Sequence, residues 1–121
     1  MSEKIRDFTD LIIWKKAVAV GKEVYRLTKR FPAEEKFGLT AQVRRAAVSV
    51  SSNIAEGHAR RGKPYPHFLD IARGSMAEVE SQLLFAVELS YLRLPDIQEC
   101  RSMAGEIHRM AAALIQKLQR D

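Results

Sequence analysis

The run from Phe37 to Arg61, FGLTAQVRRAAVSVSSNIAEGHARR, limits what this chain can fold into more than any other segment. Leu39, Val43, Ala46, Val50, Asn53 and Gly57 recur every three or four residues, with Ala47 and Ile54 beside them. That is the period of a helix burying one face. Ser49, Ser51, Ser52, Ala55 and Ala59 keep the remaining surface slim. Small side chains let neighbouring backbones approach, so this helix is expected near the centre of the packing. Arginines near its middle and end make it basic, and no catalytic group interrupts it.

The rest of the chain supplies three more helices by the same period. The first is expected at about 10–30, with Thr9 or Asp10 as its cap and Leu11, Trp14, Val18, Gly21, Tyr25 and Thr28 as its apolar stripe. Ala17, Val24, Leu27 and Phe31 widen that stripe, and Pro32 ends it, because the residue before proline is pushed from helical angles. Gly21 disfavours the helix, and a close helix crossing there is the expected compensation. The central helix takes about 34–58, and Arg60-Arg61-Gly62-Lys63-Pro64 makes a polar turn after it.

The third helix is expected at about 66–92 on Leu69, Ala72, Met76, Val79, Leu83, Ala86 and Ser90, with Phe68, Ile71, Leu84 and Phe85 as a broader face. Leu94-Pro95-Asp96 breaks it. The fourth, at about 96–119, carries an unbroken seam of Ile97, Cys100, Ala104, Ile107, Ala111, Leu114 and Leu118. No segment alternates with period two, so no strand is predicted. Four helices of matched length joined by short turns predict an all-α fold, an antiparallel up-down-up-down four-helix bundle forming one domain over residues 1–121.

Composition narrows the function classes. With one cysteine, Cys100, no intramolecular disulfide is possible, and a small buried side chain is the ordinary role for it. No apolar run approaches the ~20 residues of a membrane span, and MSEKIRDFTD has no signal-peptide core, so no membrane partner and a cytoplasmic location are expected. Twenty Lys and Arg against 15 Asp and Glu give a formal charge of +5 and favour an acidic partner.

Chemistry is hard to place in this chain. A di-iron bundle needs Glu-x-x-His pairs, and none of His58, His67 or His108 lies three residues after a glutamate. His67 and Asp70 have usable spacing, but one such pair is common. Cys100 has no CxxC partner, the serines lack a nucleophile-elbow context, and no glycine loop suits a phosphate. Glu78 and Glu80 diverge on a helix. No catalytic residue, metal ligand or cofactor is expected, and the protein is read as a non-enzyme.

The phrases Trp14-Lys15-Lys16-Ala17, Phe31-Pro32, Phe37-Gly38-Leu39-Thr40, Gln42 to Val50 and Asn53-Ile54-Ala55-Glu56-Gly57 together carry a likeness. So do Phe68-Leu69, Ala72-Arg73-Gly74-Ser75, Glu78-x-Glu80 and Gln82-Leu83. In this order they resemble the four-helix bundle proteins of the 23S rRNA intervening-sequence, or S23, family. The resemblance covers about residues 8–92, and the last helix by pattern only. It implies a small bacterial protein that assembles as a homopentamer with a basic surface. A related branch, the accessory variability protein of diversity-generating retroelements, implies nucleic acid and a reverse transcriptase as partners. Two departures stand out. Relatives usually read Lys-Glu-Phe where this chain has Lys63-Pro64-Tyr65-Pro66-His67-Phe68, and the two prolines are expected to stiffen the turn and delay the third helix. Ser90 stands where a glycine is usual, which is expected to affect only a helix end.

The candidate nucleic-acid contacts are Arg44, Arg45, Arg60, Arg61, Lys63 and Arg73. Arg44 and Arg45 point about 100° apart on a helix, so at least one should reach solvent or an interface. Arg60, Arg61 and Lys63 share the turn with His58 and His67, while Arg26, Lys29 and Arg30 cluster at the end of the first helix. Few aromatic residues accompany these cations, which favours phosphate contacts in RNA or DNA over base stacking. The bland alternative is a solvated surface paired with Glu34, Glu35, Glu56, Glu78 and Glu80. A structural or protein-binding scaffold is then the second reading, and a ligand site between subunits the third.

Overall fold

The computed structural model describes residues 4–120. Its four long helices are α1 (Ile12–Thr28), α2 (Leu39–Arg60), α3 (Pro64–Glu88) and α4 (Gln98–Arg120), with 3-10 turns at Phe8–Asp10, Ala33–Glu35 and Leu94–Ile97. Each helix packs on its neighbour in the chain, and α4 closes back on α1, so the four form a ring in cross-section. The α2–α3 contact is the most extensive, as expected of the slim helix. Polar ties show the antiparallel register. Ser49 and Ser75 hydroxyls meet at 2.8 Å between α2 and α3, His108 Nε2 lies 2.8 Å from Glu80 between α3 and α4, and Lys16 Nζ lies 2.7 Å from Glu106 between α1 and α4. The fold is the predicted all-α bundle. Among the described residues no helix is long and apolar enough to cross a membrane.

The core stripes of α2, α3 and α4 follow the sequence period. Val43, Val50, Ile54, Leu69, Met76, Val79, Leu83, Ile97, Cys100 and Ile107 are all buried. Burial pushes the Cys100 thiol up to about 12, so it stays protonated in the core. In α1 the expected Ala17, Val24, Leu27, Thr28 and Phe31 are buried, and the line is completed by Ile13 and Val20, which lie outside the expected stripe. Tyr25 is exposed, and Val18 and Gly21 are only half-buried. The expected stripe therefore needs turning toward Ile13 and Val20. Trp14 is occupied at the edge of the core, where it meets Phe8 edge-on at 5.3 Å.

The expectation for Gly21 also needs correcting. A methyl group placed there would meet nothing within 4 Å, so no helix crosses at this point. The close approach is at Gly57, where an added Cβ would lie 2.9 Å from Phe68 Cβ and 3.0 Å from Tyr65 Cδ1.

Helix ends differ from the expected bounds for identifiable reasons. α3 starts at Pro64, not two residues later, with Pro66 still in its first turn. First-turn amides have no intrahelical acceptor, so prolines there forfeit no hydrogen bond and preset the helical φ. The prolines thus open the helix instead of delaying it. α3 ends at Glu88, before the expected 92, in a Schellman closure: Tyr91 N–H donates to the Ala86 carbonyl and Ser90 N–H to the Val87 carbonyl, both at 2.9 Å. The closure places Ser90 at φ 65°, the left-handed position that glycine fills without strain. α2 starts later than expected because Ala33–Glu35 turns first. Glu35 then receives the Leu39 N–H at 3.0 Å and the Tyr91 hydroxyl at 2.8 Å, joining the start of α2 to the end of α3.

Candidate nucleic-acid interface

The turn from α2 to α3 is three residues long, near the short end for two antiparallel helices. α2 ends at Arg60, Arg61 caps it with its N–H on the Gly57 carbonyl at 2.9 Å, and α3 begins at Pro64. Reversing the chain in so few residues requires two successive left-handed φ values, 58° at Arg61 and 55° at Gly62. Gly62 adopts this readily, whereas Arg61 combines it with ψ −173°, a conformation that disfavours any side chain. Tyr65 is buried in the core beneath this turn, edge-on to His58 at 5.9 Å, and is no platform for stacking.

Three of the six candidate cations, Arg60, Arg61 and Lys63, sit at this turn, and a fourth, Arg73, lies further along α3. Arg60 is exposed, pairs with Glu56 at 3.0 Å and lies over the Phe68 ring at 5.2 Å. Arg61 and Lys63 are exposed and make no ion pair among the described residues. Arg73 is one helical face along from them on α3. Its Nη1 reaches Asp70 only at 3.8 Å, and its Nε is buried with no hydrogen-bond partner. Lys63 and Arg73 share the wall of one cleft of about 810 Å³ between the start of α3 and the end of α4.

The other two candidates lie elsewhere. Arg44 is about 24 Å from Arg60 along α2, at 1.5 Å per residue. Its Nε donates to Thr28 Oγ1 at 2.8 Å and its guanidinium lies 4.4 Å from the Tyr25 ring centre, which holds it against α1. Arg45 is exposed and borders a crevice with Gln42, Ser49, Ser75 and Glu78 on the α2–α3 side. The adjacent arginines thus diverge as their helical spacing requires: one ties α1 to α2, and the other meets solvent.

A second basic strip belongs with Arg44. Lys22, Arg26 and Lys29 edge a groove whose floor includes Gly21, Val48 and Ser51. Arg26 and Lys29 belong to the terminal cluster expected from the sequence, and Lys22, four and seven residues before them, joins them on one face of α1. Arg26 is tied to Glu23, which raises its already high pKa through that hydrogen bond first and its charge second. Arg30 lies apart, 3.2 Å from Asp96 at the start of the last helix.

The arrangement contains cations, apolar walls and open clefts. Of the three histidines, His58 sits against Tyr65, His67 against Phe68, and His108 on Glu80. What these groups can do is bind anions and neutralise charge.

Comparison with known proteins places the chain. A crystal structure of a protein of unknown function from the S23 ribosomal protein family of Bacteroides thetaiotaomicron superposes with a TM-score of 0.77 at 19% identity, covering 86% of this chain and 98% of that one. At that identity the likeness establishes the shared fold. A comparison with curated proteins finds no sequence match. Residues 9–113 match the model of the family described as 23S rRNA-intervening sequence protein. That match spans most of the bundle and all of its basic turn, and the chain belongs to the 23S rRNA-intervening sequence protein family.

Proposed function

We propose that this protein is a non-enzymatic homo-oligomer that binds the phosphate backbone of RNA or DNA and acts as an adaptor for a second protein. A reverse transcriptase is the partner that the retroelement branch suggests. The observation that carries the reading is the cluster of Arg60, Arg61 and Lys63 at the α2–α3 turn, with Arg73 sharing a cleft with Lys63, and with Arg61 and Lys63 free of ion pairs among the described residues. Phosphate contacts of this kind need no aromatic platform, and the buried Tyr65 offers none. Symmetry would multiply the effect: five copies at +5 carry about +25. Oligomer formation has a candidate surface in the exposed Leu84 and Phe85 of α3 and Leu89 just after it, which lie within about a turn of one another.

The test is affinity for a DNA duplex, measured by gel shift or fluorescence anisotropy against salt. Four phosphates neutralised by one protomer give a log–log slope near about −3.6, or roughly a 150-fold loss between 50 and 200 mM salt. Absence of binding to either RNA or DNA at 50 mM salt refutes the proposal. The same exposed apolar residues favour a second reading, a protein-binding scaffold with no nucleic-acid role. Recovery of one protein partner after nuclease treatment, together with no gel shift, would select it.

A further inference from the structure

The cleft between the start of α3 and the end of α4 has two unlike sides. Lys63, Pro66, His67, Asp70 and Arg73 line it from the α3 side, and Ile115, Leu118 and Gln119 from the α4 side. Leu118 belongs to the apolar seam of α4 and Ile115 flanks it, and both are only partly buried. Arg73, on the α3 side, is only loosely paired, since its one acidic neighbour stands at 3.8 Å. The volume, about 810 Å³, is that of a small-molecule site and far exceeds what one phosphate fills.

From this juxtaposition we infer that the cleft is a pocket for one unpaired nucleobase together with its own phosphate. The inference rests on the phosphate-binding reading above and adds preference for single strands to it. The base lies on Pro66, Ile115 and Leu118, and the phosphate is held by Arg73 and Lys63. The exposed Asp70 carboxylate on the same rim works against a second phosphate. The room left over therefore suits a neutral planar group better than a pyrophosphate. In a duplex the bases are stacked inside and cannot reach an aliphatic wall, so only a single strand, or a frayed or looped segment, fills both sides of the cleft.

The test compares a single-stranded oligonucleotide with an abasic strand of the same length and number of phosphates, both at low salt. Affinity is read by anisotropy, and contact by methyl NMR of the assembled protein. The base-bearing strand is expected to bind about fivefold more tightly, as follows from burying about 40 Å² of apolar surface at ~25 cal/mol per Å². It is also expected to shift the Ile115 and Leu118 methyl signals upfield through the ring current, whereas the abasic strand leaves them in place. Arg73→Gln should weaken both strands equally and leave their ratio unchanged. Equal binding of the two wild-type complexes overturns the pocket and leaves the phosphate reading intact. Tighter binding of the base-bearing strand without movement of those two methyls also overturns it. If neither strand binds, the phosphate reading falls and the pocket with it.

Discussion

Replacing Gly57 by alanine adds one methyl group where α2 runs tight against the first turn of α3. The new Cβ would lie 2.9 Å from Phe68 Cβ, 3.0 Å from Tyr65 Cδ1 and 3.3 Å from the Tyr65 carbonyl oxygen. Phe68 Cβ and the carbonyl cannot swing aside as a side-chain end can, and the Tyr65 ring is itself buried. The helices must part by several tenths of an ångström or Tyr65 must leave its rotamer. Overpacking of this kind costs about 2–3 kcal/mol in a well-packed core. Alanine returns about 1 kcal/mol through its helix propensity. The net expectation is a loss of about 1–2 kcal/mol, or a fall in Tm of about 3–8 °C for a chain of this length. Urea denaturation at fixed protein concentration measures it, since assembly would make stability concentration-dependent. Gly21→Ala and Gly74→Ala are the controls. Neither added methyl meets anything within 4 Å, so each should gain up to about 1 kcal/mol. If Gly57→Ala is as stable as the controls, the close approach at Gly57 is not what selects glycine there.

Ser90→Gly should raise stability by about 1 kcal/mol in the same denaturation assay, because it relieves a left-handed φ of 65° without disturbing the Schellman hydrogen bonds. Arg61→Gly should likewise stabilise the chain, by about 1–2 kcal/mol, while reducing the magnitude of the duplex salt slope by about 0.9. A loss of stability, or an unchanged slope, would contradict the account of that residue. The Leu39 N–H first, and the Tyr91 hydroxyl second, hold the Glu35 carboxyl below its ordinary value of 4.5. Its contribution to stability is therefore fully present above about pH 4.5 and is lost as acid protonates it below that, so Glu35→Gln should flatten this part of the stability–pH curve.

The bundle could be read from the chain because α2, α3 and α4 each carry one apolar line and polar residues elsewhere. The face of α1 could be read only in part. Ala17, Val24, Leu27, Thr28 and Phe31 belong to the expected stripe and are buried, but Leu11, Trp14, Val18 and Tyr25 are as apolar as Ile13 and Val20, and only packing against α2 and α4 decides between those. Gly21 and Gly57 look alike as isolated helical glycines, yet only one meets a neighbouring helix. Pro64 and Pro66 were misjudged for a local reason: proline breaks a helix interior but suits the first turn, and the starting residue was off by two. At the candidate site, chain proximity explains why Arg60, Arg61 and Lys63 gather. The partnership of Arg73 with Ile115 and Leu118 could not be read, because it depends on where α4 ends beside α3.

The brevity of the Arg61–Lys63 connection has a consequence for how such a protein can vary. A flexible loop would absorb an inserted residue, but here the next residue already belongs to α3. One added residue drawn into the helix would rotate everything before it by about 100° relative to the buried line of α3. Lys63 would then leave the wall that His67 and Arg73 share with Ile115 and Leu118. The spacing of these cations is set by the helix lattice, so they meet a ligand already arranged and lose little freedom on binding it. Changes of sequence at this turn should be tolerated far better than changes of length.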